Sequence, residues 1–160
     1  MGAPRRIDGN IAGTTENYTE TASVYVSETT GVSDGQWLAF SLTDTTYGVG
    51  NSFKLGDSLS VVNAQNWACV ADETITAPGF CRVVIAGFKS DVRTDGAVDI
   101  DDIVIASATS GACGRAVSRD SSTVNVSTYR KLGYALEADS GTPPLTTADM
   151  IIFRHPYFPQ

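Results

Sequence analysis

Phe80-Cys81-Arg82-Val83-Val84-Ile85-Ala86-Gly87 opens the part of the chain whose reading decides the fold. After it come Asp95-Gly96-Ala97-Val98-Asp99-Ile100-Asp101-Asp102-Ile103-Val104-Ile105-Ala106-Ser107 and Leu132-Gly133-Tyr134-Ala135-Leu136-Glu137. Short β-branched runs broken by Asp, Gly and Ser read as strands and turns. Cys81, Val83 and Ile85 alternate with Arg82, Val84 and Ala86, which predicts one apolar and one mixed face. Val98 and Ile100, with Asp102 next in the series, alternate with Asp99 and Asp101. The register then changes, and Ile103-Val104-Ile105 is expected to be buried on both faces. Asp95-Gly96 reads as a hairpin turn, where Gly accepts positive φ and Asp bonds locally. Tyr134, Leu136 and Ala138 alternate with Ala135 and Glu137, and Met150-Ile151-Ile152-Phe153 supplies a last strand.

Upstream, Ala22, Val24 and Val26 alternate with Ser23, Tyr25 and Ser27, a period of two. Gly31-Val32-Ser33-Asp34-Gly35 turns the chain into Trp37 to Leu42, where Leu38, Phe40 and Leu42 are expected on a common face. Leu59 to Val62 and Trp67 to Val70 are further strand candidates, and Val117 to Val126 reads as an exposed hairpin. Ala77-Pro78-Gly79 and Gly141-Thr142-Pro143-Pro144 are breaks, since proline cannot donate to a ladder. Helical patterning is scarce, and no repeat or heptad is visible. Roughly eight to ten strands follow from this punctuation. The fold class is all-β: a single β-sandwich or small β-barrel domain over residues 22–160. Residues 1–21 read as an extended N-terminal arm, in which Arg5, Arg6, Ile7 and Ile11 are the side chains able to grip a surface. A frayed terminus and an arm that orders on a neighbouring subunit both fit that stretch.

The totals narrow the function classes. The chain has 160 residues, 42% of them hydrophobic, enough for one cored domain. Its net charge of −7, with no basic run, is unsuited to a phosphate backbone and argues against nucleic acid as a partner. No apolar run reaches the roughly 18 residues of a membrane span. Arg5 and Arg6 are followed by no apolar stretch of the kind a secretory signal needs. The three cysteines, Cys69, Cys81 and Cys113, match no zinc spacing and are expected as small buried residues in a reducing cytoplasm. A Cys69–Cys81 bridge is the alternative. Asn17-Tyr18-Thr19 and Asn125-Val126-Ser127 have the form of glycosylation sequons, which the missing signal leaves without a role.

Candidate chemistry is thin. His155 is the one histidine and sits beside Arg154 and Pro156, with no Gly-x-Ser-x-Gly elbow to serve it. It reads as a solvated or hydrogen-bonded residue. Asp91, Asp95, Gly96 and Asp102 fall at the first, fifth, sixth and twelfth places of a calcium loop. Arg93 puts a cation at the third place, however, and the last place lacks its bidentate Glu. Asp99, Asp101 and Asp102 are then either ligands of a structural cation or charges that protect a strand edge. Glycine patterns for nucleotides are absent. No carboxylate pair stands out for glycoside cleavage. Tyr18, Tyr25, Trp37, Tyr47 and Trp67 are either a sugar-stacking platform or core residues whose N–H and O–H groups need partners. No catalytic residue, metal or cofactor is expected.

Four features carry a resemblance: the strand Val83-Val84-Ile85-Ala86-Gly87; the acidic strand Val98 onward with its Gly/Ser-rich loop to Cys113-Gly114; Leu132-Gly133-Tyr134-Ala135-Leu136-Glu137; and Met150 to Phe153. With the Gly-Asp turn in Leu55-Gly56-Asp57-Ser58-Leu59, they make Phe80 to Phe153 similar to the small head decoration, or cement, proteins of tailed bacteriophages. The resemblance covers about half the chain and rests on pattern. It implies a non-enzymatic virion protein, made in the host cytoplasm, that sits on the outside of the capsid as a homotrimer. Its partner would be the major capsid protein, gripped in part by the arm residues Arg5, Arg6, Ile7 and Ile11. A phage tail or fibre β-domain that binds a host carbohydrate through Trp or Tyr is the alternative.

Overall fold

The computed structural model describes residues 18–46, 48, 51–56, 66–107, 114–119, 130–139, 146–156 and 158. The arm residues Arg5, Arg6, Ile7 and Ile11, the Leu59–Val62 run, most of the Val117–Val126 run and Cys113 lie outside them. Among the described residues there are nine strands and no helix: β1 Thr19–Val26, β2 Trp37–Phe40, β3 Phe53–Leu55, β4 Trp67–Ala71, β5 Gly79–Arg93, β6 Ile103–Ala106, β7 Ala116–Ser118, β8 Gly133–Ala135 and β9 Thr147–Ile152. The protein is all-β, as the alternation predicts. β1 begins at Thr19, ahead of Ala22, where the alternation first becomes legible.

The strands follow the order β1-β3-β2-β4-β5-β9-β8-β6-β7, and β1 also pairs with β5. That extra pairing is antiparallel and runs from Thr19↔Gly87 to Val26↔Gly79. β1, β3, β2, β4 and β5 therefore close a ring, completed by the parallel contact Val26↔Phe53. The other strands form the row β5-β9-β8-β6-β7. Its far end returns to the chain leaving β5, because Thr94 bridges Ala116 and the Asp95 N–H donates to the Ala116 carbonyl at 2.7 Å. Closure of this kind removes the exposed edges that invite aggregation. β5 serves both closures, and its 15 residues make it the longest described strand.

Packing explains why two closures fit in one small protein. Val24, Val26, Leu38, Phe53, Cys69, Ala71, Cys81, Val83 and Ile85 gather in one apolar cluster. Trp37, Ala39, Trp67, Val70 and Val84 gather with Val104, Met150 and Ile152 in the other. β2 and β4 thus send alternate residues to opposite clusters: Leu38 faces Cys69 in one, while Trp37 faces Val70 in the other. A register shift after Leu38 pairs Ala39 with Trp67 and keeps that division. A strand covered on both faces reads as a continuous apolar run. Trp67-Ala68-Cys69-Val70-Ala71 is such a run, and all of it is buried.

Several local expectations differ from the structure. β2 stops at Phe40, and Leu42 lies beyond it, 45% exposed, so it shares no face with Leu38. Val98 to Asp102 is a turn and not an acidic strand. The Asp102 carboxylate accepts the Asp99 N–H at 3.0 Å, and the Asp102 N–H returns to the Asp99 carbonyl at 3.1 Å. Such local bonds compete with a ladder, which is how Asp breaks strands. Gly96 has φ 111°, the conformation expected of it. Its flanks form no hairpin, though, because Thr94 bridges Ala116 while Val98 bridges Asp139.

Gly87 is the joint between the two halves. It pairs with Thr19 of β1 and with Ile152 of β9, so those strands lie on opposite edges of β5. Its φ is 91°, and a Cβ there would collide with the Tyr18 carbonyl oxygen. Register shifts follow on both sides, between Glu20 and Thr21 and between Lys89 and Val92. Positive φ costs a non-glycine residue about 1–2 kcal/mol before any clash is counted. Gly87→Ala is therefore expected to lower the unfolding free energy by about 2 kcal/mol or more. Urea unfolding of the two proteins measures this, and an unchanged midpoint would mean that the joint tolerates a side chain.

Candidate functional site

The groups singled out for chemistry do not converge. Asp95 takes a hydrogen bond from the Ser107 hydroxyl, and Asp102 is spent on the Asp99 turn. Asp91, with φ 54°, donates its N–H to the Asp149 carboxylate at 3.2 Å. Among the described residues no group of three or more His, Cys, Asp or Glu is placed to hold a metal ion. His155 is not solvated: it is buried with its ring edge-to-face on Phe40, centroids 5.3 Å apart.

The tryptophans are core residues. Trp37 and Trp67 are 1% and 0% exposed and lie 6.2 Å apart, so neither can stack on a sugar. Both indole N–H groups lack a hydrogen-bond partner among the described residues. Cys69 and Cys81 are free and buried, and no bridge joins them. Burial pushes the Cys69 thiol well above its ordinary value. Burial and the nearby Glu73, Asp72 and Asp34 carboxylates push Cys81 up to about 11. Neither thiol is a nucleophile at neutral pH, since the thiolate is the reactive form.

Two buried cations escape a reading by periodicity. Lys89 is 6% exposed on β5, and its ammonium meets Asp34 at 2.9 Å and Asp72 at 3.4 Å. Asp72 also holds Arg82 at 2.8 Å. The signal was a lone lysine two places after Gly87, within a strand that the alternation ends too early. Arg130 has no carboxylate partner among the described residues. Its guanidinium donates to the Trp67 carbonyl at 2.8 Å and to the Arg154 carbonyl at 2.9 Å. Burial lowers its pKa to about 10. Arg154 in turn pairs with Glu20, so the C-terminal stretch is tied to β4 and β1 by charged groups. These contacts are structural.

A row of apolar residues, half-buried except at the exposed Tyr134, crosses one face of the second sheet. Phe88 pairs with Ile151, Ile151 with Tyr134, and Tyr134 with Ile103, so one row crosses β5, β9, β8 and β6. Directly opposed residues share a face. The neighbouring register, Gly87, Ile152, Gly133 and Val104, points the other way, where Ile152 and Val104 are buried. The row continues onto β1, because the Phe88 N–H donates to the Tyr18 carbonyl at 2.8 Å. Tyr134 is 43% exposed with Phe153 edge-on at 4.9 Å, Leu136 is 41% exposed, and Ile100 beside them is 61% exposed. Alternation separated Tyr134 from the buried Ala135, but β8 ends at Ala135, and Leu136, Glu137 and Ala138 beyond it are all exposed. Periodicity could not tell that the Tyr134 side is the outer one. A depression of about 220 Å³ lined by Phe40 and Leu42 together with Ser41, Thr43, Lys54 and Asn66 is open to solvent.

No family model matches the sequence, and a search of curated proteins returns no match. Among solved structures, the head fiber gp8.5 N base of bacteriophage phi29 is similar, at 19% identity and a TM-score of 0.48. The match covers 84% of this chain and 96% of that one. A likeness at this level carries no functional assignment.

Three outcomes follow from the buried groups. In a Cys113→Ser protein, Cys69 and Cys81 are expected to resist a thiol reagent at pH 8 and to react once the chain is unfolded. Labelling of the native protein would contradict the burial. The raised Cys81 value also favours the native state below pH 9, an advantage lost as pH rises from 9 through about 11. Lys89→Ala is expected to cost about 2 kcal/mol in urea unfolding, less than the about 3–5 kcal/mol of a fully buried pair. The discount arises because Asp34, 49% exposed, can rehydrate.

Proposed function

We propose that this chain is a structural protein of a tailed-phage head, a decoration or cement protein that binds the outer surface of the capsid and stabilises it. The observation that carries the reading is the apolar row Phe88, Ile151, Tyr134 and Ile103, laid across one face of the second sheet and half-buried but for the exposed Tyr134. Such a surface suits adhesion to another protein. The sequence resemblance of Phe80 to Phe153 to head decoration proteins names the class of partner, the major capsid protein. Assembly as a trimer, and grip by Arg5, Arg6, Ile7 and Ile11 of the arm, belong to the same proposal; many weak contacts repeated by symmetry would give avidity. The glycan-binding alternative loses Trp37 and Trp67 to the core and retains Tyr18 and the half-buried Tyr25 among the described residues.

Co-sedimentation with expanded, DNA-free shells tests the reading. Full-length protein is expected in the pellet at saturable stoichiometry, and a chain lacking residues 1–17 is expected at lower occupancy. Protein that stays in the supernatant at every concentration would overturn the proposal.

A further inference from the structure

Ser41, just past β2, is 7% exposed, and its hydroxyl is buried with no hydrogen-bond partner among the described residues. A hydroxyl left so in a native fold calls for an account, because burying it unanswered is costly. The Ser41 N–H donates to the Ser52 carbonyl at 2.8 Å, which carries the β2–β3 ladder one residue beyond the Phe40↔Phe53 pair. Ala39 pairs with Lys54 in that ladder, so Ser41 and Lys54 are diagonal neighbours on one face. Both line the depression of about 220 Å³, with Thr43 and Asn66 beside them and Phe40 and Leu42 as apolar walls. Lys54 and Thr43 are exposed, and among the described residues neither they nor the Asn66 amide group has a hydrogen-bond or ion-pair partner.

These groups share one chemistry. Lys54 can only donate, and Ser41, Thr43 and Asn66 can each donate as well. No carboxylate among the described residues lines this depression. Asp44 lines a neighbouring depression of about 270 Å³, which shares Thr43 and Lys54 and adds Ser27, Thr45 and Thr46. Its carboxylate is already engaged by the Thr46 N–H at 2.9 Å and by the Ser52 hydroxyl. A carboxylate accepts without donating, so it answers a converging set of donors, and a cation among them strengthens the bonds. Drug-sized ligands fill roughly 300–1,000 Å³, so the first depression takes about one ring. We propose that the two depressions bind an acidic sugar. Its carboxylate would lie on Lys54, Asn66 and a Ser41 hydroxyl turned toward it, its ring on Phe40 and Leu42, and its hydroxyls on Thr43, Thr45 and Thr46. The apolar wall and the hydroxyl-lined continuation favour such a ligand over a small bare anion. β2 and β3 belong to the first ring, away from the Phe88–Ile103 row, so this site goes beyond the capsid reading and stands without it.

NMR titration of the isotope-labelled full-length protein with D-glucuronate tests the site without a shell, so its result is separate from the co-sedimentation outcome. Saturable shifts are expected at Phe40 to Thr43, at Lys54 and at the Asn66 side-chain amide. Lys54→Gln is expected to weaken glucuronate binding about fivefold at low salt, with the difference shrinking at high salt. Glucose, which lacks the carboxylate, is expected to bind more weakly and to be indifferent to Lys54→Gln. Ser41→Ala is expected to weaken glucuronate binding about threefold while its urea midpoint stays level or rises, because the hydroxyl has no partner to lose in the free protein. A lowered midpoint would make that hydroxyl structural and overturn its role. No saturable shift at these residues would overturn the proposal. Acetate or inorganic phosphate binding there as tightly as glucuronate would overturn it too, as an adventitious ion only.

Discussion

Gly87 pairs with β1 on one edge and β9 on the other, and the whole architecture depends on that one residue serving both. Up to Gly87, β5 is a wall of the first ring; beyond it, β5 opens the row that ends at β7. A strand can change partners this way only if its backbone turns sharply while its ladder stays satisfied. Positive φ at Gly87 with a register shift on each side accomplishes it. Tyr18 and Phe88 meet at the same spot, so the joint also fixes where the chain before β1 enters and where the exposed row begins.

Sharing one wall between two apolar clusters has polar consequences. β2 and β4 are covered on both faces, which leaves the Trp37 and Trp67 N–H groups buried without a partner among the described residues. Elsewhere the interior accepts charge only where it is answered. Lys89 is buried between Asp34 and Asp72, and Arg130 is held by two backbone carbonyls. An unanswered buried charge costs several kcal/mol, on the order of its desolvation. Asp99, Asp101 and Glu137, which have no cationic partner among the described residues, are exposed to water.

Legibility in the sequence varied with how local the deciding contact was. Cys81, Val83 and Ile85 share one cluster as their alternation suggests, while Val84 between them is buried in the other. Trp67 to Ala71 reads as an apolar run and is buried throughout. Val98 to Asp102 was misleading because Asp side chains bonding their own backbone outcompete the strand that the alternation suggests. Lys89 was invisible because its carboxylates come from the turns after β1 and β4, distant in sequence. Tyr134 was told apart from Ala135, but periodicity carries no information about which face meets the core.

By itself the sequence determined the all-β class and the strands with strong period-two patterning. These are properties of single residues and near neighbours, set by φ, side-chain branching and hydrophobicity. Only the tertiary structure decided that β5 is shared by two closures, that both tryptophans are core, and that Phe88, Ile151, Tyr134 and Ile103 form one row. Each of these depends on pairing between strands far apart in the chain, where one step in register reverses every side chain's face. The surface most relevant to binding is therefore a product of register, which no local pattern encodes.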